Sequence, residues 1–161
     1  MAATGKHRHN VIPAVYVVFR DKSGKKLLLI RRYNTGYRDG WYSLPAGHVG
    51  GADERGGEPA IMAAVREAKE EVGVDISPKD LRLVHTMHRL SNDPEPHERI
   101  DLCFETTSWH GELINAEPNK CDELRWVLLD DLPDNVIPEV RHMLQQALLE
   151  HRPYSDFNFD R

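Results

Sequence analysis

Short apolar runs separated by polar turns predict that much of this chain folds into β-strands. β-Branched and aromatic residues at 11–20 predict a first strand, and the apolar run within 26–32 predicts a second strand that pairs back on the first as a hairpin. Loops are expected at 33–40 and, with its prolines, at 91–98. Four further segments are predicted to be strands: 41–44, 81–90, 100–109 and 123–129. The segment 123–129 is expected to be the last strand of the chain.

Two segments carry the spacing of an amphipathic helix. Pro59 suits the first helical position of one helix, and Gly73 suits its C-terminal cap. Its apolar face combines positions three or four residues apart: Ile61, Val65, Ala68 and Val72. A second helix is predicted at 137–150. Strands on both sides of one helix, followed by a terminal helix, predict a layered α/β domain with a mixed β-sheet.

Composition narrows the class of protein. The polar residues 1–10 are expected to form a tail before a single domain at 11–161. The formal charge of −5 argues against binding to nucleic-acid polymers or anionic lipid, and no apolar run approaches a membrane span. The two cysteines, Cys103 and Cys121, form no CxxC pair, and the N-terminus lacks the apolar core of a signal peptide. A cytoplasmic location is therefore expected.

Three carboxylates on the first predicted helix are the main candidate chemistry. Glu67, Glu70 and Glu71 are spaced i, i+3 and i+4, so a helix places them on one side, away from its apolar face. Their repulsion destabilises the helix unless a cation offsets it, and Mg²⁺ prefers oxygen ligands of this kind. Arg66 lies four residues before Glu70 and is placed to pair with it. A plain solvated acidic face is the alternative interpretation.

The residues around these carboxylates resemble a known motif. Leu-Pro-Ala-Gly-His at 44–48 and Glu58 precede Arg-Glu-Ala-Lys-Glu-Glu-Val-Gly-Val, which begins at Arg66. Together they resemble the Nudix box, in which a glycine and a glutamate precede Arg-Glu-(aliphatic)-x-Glu-Glu-x-Gly-(aliphatic). One departure is that ten residues separate Gly47 from Glu58, where the box usually has five, so about five residues within 50–55 form an insertion. A longer loop costs little free energy, about half a kcal/mol per doubling.

The resemblance implies a Nudix-type αβα sandwich and the hydrolysis of a pyrophosphate bond in a nucleoside di- or triphosphate derivative, as in nucleotide-pool clearing. It implies Mg²⁺ as cofactor, with Mn²⁺ as the alternative. Glu67, Glu70 and Glu71 match the catalytic and metal-binding positions, and the backbone carbonyl of Ala46 matches the loop ligand. Three residues match positions that brace the loop and the helix: Gly47, Glu58 and Arg66. Which glutamate is the general base stays open, because crowded carboxylates titrate as a group.

Substrate contacts are less visible in the sequence. Arg31 and Arg32, in a segment that also carries aromatic rings, are candidates for holding phosphate, and a plain surface loop is the alternative. His48 is a candidate because it follows the Ala-Gly turn beside the site. Glu123 is either a further acidic residue near the metals or an ordinary glutamate at a strand end. The expected partner is a small-molecule nucleotide, and family members are often homodimers.

A second functional class is a Nudix-like nucleotide-binding or regulatory module that has lost catalysis. Such modules usually lose carboxylates of the box, whereas all four glutamates are present here, counting Glu58. The loop insertion is the feature that favours the inactive module. The presence of all four glutamates outweighs the loop insertion, so an enzyme is favoured over an inactive module.

Overall fold

Two β-sheets and two main helices build the domain in the computed structural model, which describes residues 9–50, 57–91 and 97–159. The predicted tail at 1–10 and the predicted insertion at 50–55 therefore lie largely outside the described residues. The elements are β1 (Ile12–Phe19), β2 (Lys26–Arg32), β3 (Tyr42–Ser43), β4 (Ala46–His48), α1 (Ala60–Val72), a 3₁₀ turn (Pro78–Asp80), β5 (Arg82–Ser91), β6 (His97–Thr106), β7 (Cys121–Leu128), α2 (Pro138–Leu144), a π-helical turn (Gln145–Leu149) and β8 (Tyr154–Phe157).

The larger sheet is mixed and has the strand order β4-β1-β6-β5-β8. The pairs β1–β6 and β5–β8 are parallel, and the other two pairs are antiparallel. The smaller sheet, β3-β2-β7, is antiparallel throughout. No helix among the described residues is long and apolar enough to cross a membrane.

Strand β1 lies between the two halves of the core, and alternation of its side chains explains why. Val15, Val17 and Phe19 join the cluster that contains the buried face of α1. The alternate residues Tyr16 and Val18 join the second cluster, which contains α2. Since successive strand residues point to opposite faces, a strand buried on both faces is apolar throughout. The helices thus cover opposite faces of this sheet, and the predicted αβα sandwich with a mixed β-sheet is confirmed.

Helix α1 ends as predicted at Gly73 but begins one residue later than predicted, because Pro59 is its N-cap and not its first helical residue. Pro59 precedes it with extended backbone angles, and Gly73 ends it at φ 77°, a left-handed conformation that glycine adopts without strain. Its four fully buried residues are Ala63, Ala64, Ala68 and Val72. The buried face is therefore turned from the expected one, since Ala63 and Ala64 are buried where Ile61 and Val65 are only half-buried. By helix spacing this brings Glu67 and Glu71 beside the buried alanines and not opposite them.

The predicted hairpin between β1 and β2 is wrong. The two strands belong to different sheets and share only one isolated bridge, Arg20 to Leu27. Both edges of β1 are occupied by β4 and β6, so β2 pairs with β3 and β7 instead. Proximity along the chain favoured the hairpin, but the hydrogen-bonding edges of β1 are taken by strands from distant segments.

Two other predictions about the elements need correction. The strand at 123–129 is not the last, because Tyr154–Phe157 adds β8 in parallel to the edge of β5. Its four residues are too few to show a strand pattern in the sequence. The second helix is α-helical only to Leu144 and continues as the π-helical turn to Leu149.

Candidate active site

The three helical carboxylates share one cleft. Glu67, Glu70 and Glu71 line a cavity of about 390 Å³ between α1, the C-terminal end of β2 and the segment before β7. This cavity is called the carboxylate cleft below. Ala46 lines it as well, so the structure brings together all four residues that the sequence assigned to metal binding.

Arg66 connects the helix to the preceding loop through contacts with five acceptor atoms on four residues. Its Nε and Nη2 lie 2.9 and 3.1 Å from the two carboxylate oxygens of Glu58. Its Nη1 lies 2.6 Å from Glu67 and 3.1 Å from Glu70, and Nη2 also donates to the carbonyl of His48 at 3.1 Å. The guanidinium fork suits this role because it donates in several directions within one plane. The predicted bracing positions Glu58 and Arg66 are thus in direct contact.

Glu71 is the most buried carboxylate of the cleft. Its Oε2 accepts a hydrogen bond from the backbone N–H of Ala46 at 2.8 Å. Burial raises the pKa of Glu71 to about 8; the Ala46 hydrogen bond opposes this, and the charges of Glu67 and Glu117 add to it. Burial also raises the pKa of Glu67, partly offset by Arg66. A buried carboxylate is costly to ionise unless a cation lies beside it. Raised pKa values at Glu67 and Glu71 are therefore expected if this cleft binds a cation.

Gly47 is required by the position of Glu67. A Cβ at residue 47 would overlap the Glu67 carboxylate, the nearest atom being Oε1. A side chain at residue 47 would therefore have to displace the Glu67 carboxylate from its observed position. The box glycine therefore has a steric role in addition to its place in the loop.

Two residues of the carboxylate cleft were not found by sequence reasoning. Glu117 and Lys120 line it from the segment between β6 and β7, and Lys120 Nζ contacts Glu117 Oε1 at 2.8 Å. Both lie in a polar stretch without periodicity, which carries no signal for a site. With Arg32 they give the cleft a charged wall opposite the helix.

A second cleft of about 600 Å³ adjoins the first and shares Arg32, Thr35 and Ala46 with it. We call it the side cleft. Arg32 is held at the junction, where its Nε donates to the Tyr37 carbonyl at 2.8 Å and its Nη2 donates to Thr35 Oγ1 at 3.1 Å. The other side chains with polar groups that line the side cleft include six with a ring, a guanidinium or a carboxylate: Tyr16, Tyr37, His48, Arg89, Arg99 and Glu139.

Two of these six side chains, His48 and Arg99, lie side by side at the mouth of the side cleft. Arg99 Nη1 lies 3.1 Å from His48 Nε2, which therefore accepts the hydrogen bond. Burial and then the Arg99 charge lower the pKa of His48. A neutral His48 is consistent with its predicted place beside the substrate.

Two predicted substrate residues lie elsewhere. Arg31 pairs with Asp122 at 2.7 Å and with Glu123 at 3.1 Å. Glu123 also accepts a hydrogen bond from the Tyr42 hydroxyl at 2.7 Å. Neither Arg31 nor Glu123 lines the two clefts, so their placement does not support a substrate role.

The donors of the carboxylate cleft fit a hard divalent cation. Carboxylate oxygens suit Mg²⁺ or Mn²⁺, and burial, which raises the pKa of both Glu67 and Glu71, makes these carboxylates costly to ionise without a cation. Within the described part of the chain, no three His, Cys, Asp or Glu side chains already surround one point. Arg66 Nη1 lies between Glu67 and Glu70 instead, so side-chain adjustment has to accompany binding.

Comparison with known proteins gives a consistent result. The NUDIX domain family matches residues 11–147. The NAD-capped RNA hydrolase NudC of Stutzerimonas stutzeri is 30% identical over 128 residues, which are 80% of this chain and 40% of that protein. The chain therefore spans well under half the length of this curated relative.

Solved structures share the fold. A MutT NUDIX hydrolase from Burkholderia pseudomallei has a TM-score of 0.72 at 24% identity, over 86% of this chain and 98% of that one. A MutT protein from Methanosarcina mazei has a TM-score of 0.70 at 21% identity, over 90% of this chain and 98% of that one.

Proposed function

The chain belongs to the NUDIX family, and we propose that it is a hydrolase of a pyrophosphate bond in a small nucleotide derivative, dependent on Mg²⁺ or Mn²⁺. The observation that carries the proposal is the convergence of Glu67, Glu70 and Glu71 on one cleft that also receives Arg32 and Lys120. Carboxylates on one wall suit a cation, and cationic side chains on the other suit phosphate oxygens.

The metal-binding groups are proposed to be the three helical carboxylates together with the Ala46 carbonyl. A bound divalent cation neutralises charge on the phosphate oxygens and lowers the pKa of a coordinated water. The protein residues hold the site in shape: Arg66 orients Glu67 and Glu70, and the Ala46 N–H orients Glu71. One of these carboxylates accepts the proton of the attacking water.

Arg32 is proposed to hold a phosphate group between the two clefts. Two of its nitrogens are fixed by Tyr37 and Thr35, and the guanidinium stacks on the Tyr37 ring with its carbon 5.4 Å from the ring centre. A guanidinium fixed in this way loses little further freedom when it binds a phosphate. The side cleft then receives the group that is attached to the pyrophosphate.

The second candidate function is a nucleotide-binding module without catalysis. The complete set of box glutamates and their convergence favour the enzyme. Hydrolysis of an NAD cap on RNA is the activity named for the Stutzerimonas relative, and the net charge of −5 favours a small nucleotide over an RNA polymer for this chain. A cytoplasmic location and a homodimer remain predictions.

The test is a screen of nucleoside triphosphates and dinucleotides that measures phosphate and pyrophosphate release with Mg²⁺, with Mn²⁺ and with a chelator. We expect metal-dependent release that falls at least about 100-fold in a Glu70→Gln, Glu71→Gln double variant. The matched control is the exposed pair Glu112→Gln, Asp134→Asn, which retains activity. Full activity of the first double variant contradicts the site, and a silent panel favours the binding module.

A further inference from the structure

Arg32 is oriented by the loop that follows it in the chain, residues 33–40. Its Nε donates to the Tyr37 carbonyl at 2.8 Å, and its Nη2 donates to Thr35 Oγ1 at 3.1 Å. Both acceptors are neutral oxygens, so these contacts fix the direction of the guanidinium without cancelling its charge. The direction in which Arg32 points therefore depends on where the loop holds these two oxygens.

The Thr35 hydroxyl is the centre of this arrangement. Its Oγ1 lies 3.1 Å from Arg32 Nη2, 3.3 Å from the Tyr37 backbone nitrogen and 2.6 Å from Asp39 Oδ1. A hydroxyl has two lone pairs and one hydrogen. The two nitrogens are donors and take the lone pairs, so the hydrogen is left for an oxygen. The Tyr37 carbonyl lies at 3.0 Å, but the Asp39 carboxylate is nearer and charged, which makes it the stronger acceptor.

Asp39 holds the same loop through both of its carboxylate oxygens. Oδ1 also accepts the backbone N–H of Thr35 at 2.9 Å, and Oδ2 accepts the backbone N–H of Gly36 at 3.1 Å. These bonds, with that from the Thr35 hydroxyl first, lower the pKa of Asp39, so it is ionised at neutral pH. Asp39 is exposed and lines neither cleft, whereas Thr35 lines both.

Closing a surface loop is the simpler account of Asp39. An aspartate with that role alone needs only backbone N–H groups as partners. Asp39 in addition takes the hydroxyl of Thr35, the side chain that bonds Arg32 at the junction of the clefts. A chain of two side-chain hydrogen bonds, of 2.6 and 3.1 Å, thus leads from the protein surface to Arg32.

We infer that Asp39 is a positioning residue, which acts through Thr35 to fix the Arg32 guanidinium where the phosphate groups bind. The inference rests on the proposed function, because Arg32 is taken there to hold a phosphate group. A side chain that is fixed before binding loses less conformational freedom when the ligand arrives. Removal of the Asp39 carboxylate is therefore expected to weaken phosphate binding about 3- to 10-fold, although Asp39 itself does not contact the ligand.

The test is the binding of methylene diphosphonate with Mg²⁺, measured by titration calorimetry. This probe carries the two phosphorus groups of a pyrophosphate without a base, and its bridging carbon is not hydrolysed. Asp39→Ala is expected to weaken binding about 3- to 10-fold in the otherwise unchanged protein. In an Arg32→Ala protein the same substitution is expected to change binding less than about twofold. Equal losses in the two proteins, or no loss in either, overturn the inference.

Two further variants separate positioning from a general loosening of the loop. Asp39→Asn keeps an oxygen that accepts both Thr35 bonds, so it is expected to bind within about threefold of the wild type. Arg38→Gln changes a neighbouring side chain that lies over the Trp41 ring and lines neither cleft, and it is expected to retain the affinity. A loss in either variant as large as that in Asp39→Ala contradicts the inference. Thermal melting checks that each variant is folded, which is expected because Asp39 and Arg38 are exposed.

Binding and turnover separate this inference from the proposed function. The expected coupling between Asp39 and Arg32, without hydrolysis of any nucleotide with Mg²⁺, refutes the enzyme and supports the positioning role. Metal-dependent hydrolysis, with diphosphonate binding that depends on Arg32 but not on Asp39, supports the enzyme and refutes the positioning role. A wild-type protein that does not bind the diphosphonate refutes the phosphate contact of Arg32 and this inference with it.

Discussion

Replacing Glu71 by glutamine tests the electrostatics of the carboxylate cleft. Glutamine keeps the size of the side chain and an oxygen that accepts the Ala46 hydrogen bond. It removes the charge whose burial raises the pKa of Glu71 to about 8. We therefore expect the metal-free variant to be more stable than the metal-free wild type at pH 8, because it has no carboxylate to ionise in a buried position.

The sign and size of this stability difference follow from the linkage between proton binding and folding. An exposed glutamate has a pKa of 4.5, whereas that of Glu71 is about 8 in the fold. Since the folded-state pKa is the higher one, the stabilisation from this group is complete below pH 4.5 and is lost as pH rises toward 8. At about 1.4 kcal/mol per pH unit, the full difference is roughly 5 kcal/mol. Solvent in the open cleft reduces the expected effect to about 2 kcal/mol.

The assay is urea unfolding of both proteins with a chelator, at several pH values between 4.5 and about 8. The quantity compared is the difference in the free energy of unfolding between variant and wild type, in which titrations common to both proteins cancel. We expect this difference to grow with pH in favour of the variant. Glu70→Gln, at a more exposed carboxylate, is the matched control with a smaller change. A difference that is constant across pH refutes the reasoning.

Three further predictions concern the site and the buried cysteines. Gly47→Ala is expected to lower kcat/KM about 100-fold by displacing the Glu67 carboxylate; if the clash is the cause, adding Glu67→Ala restores thermal stability but not activity. Arg66→Lys is expected to lower the free energy of unfolding by about 1–2 kcal/mol in urea, because an ammonium replaces the fork that reaches several acceptors; an unchanged stability contradicts this. Cys103 and Cys121 are expected to resist a thiol reagent until the protein is denatured, because burial raises the pKa of both thiols; rapid labelling of the native protein is the contrary result.

The sequence by itself determined helix α1 and its acidic side. The spacing of Glu67, Glu70 and Glu71 and the stop at Gly73 depend only on local helix geometry, which is the same in any fold. The contact between Arg66 and Glu70 follows from the same local rule and is observed at 3.1 Å. The family resemblance rests on these local features, and it extended the prediction correctly to the αβα architecture.

Tertiary structure alone decided which distant residues complete the site. Arg31 and Arg32 are neighbours in sequence, but only Arg32 reaches the clefts, because side chains alternate along a strand and the pairing of β2 sets which side faces in. Glu117 arrives from a segment without a sequence signal, whereas Glu139 lies on the predicted second helix, whose pattern did not show that this residue lines the side cleft. The same holds for the parallel pairing of β1 with β6, two segments far apart in the chain. Contacts of this kind depend on how the whole chain buries its apolar surface, which no short window of sequence records.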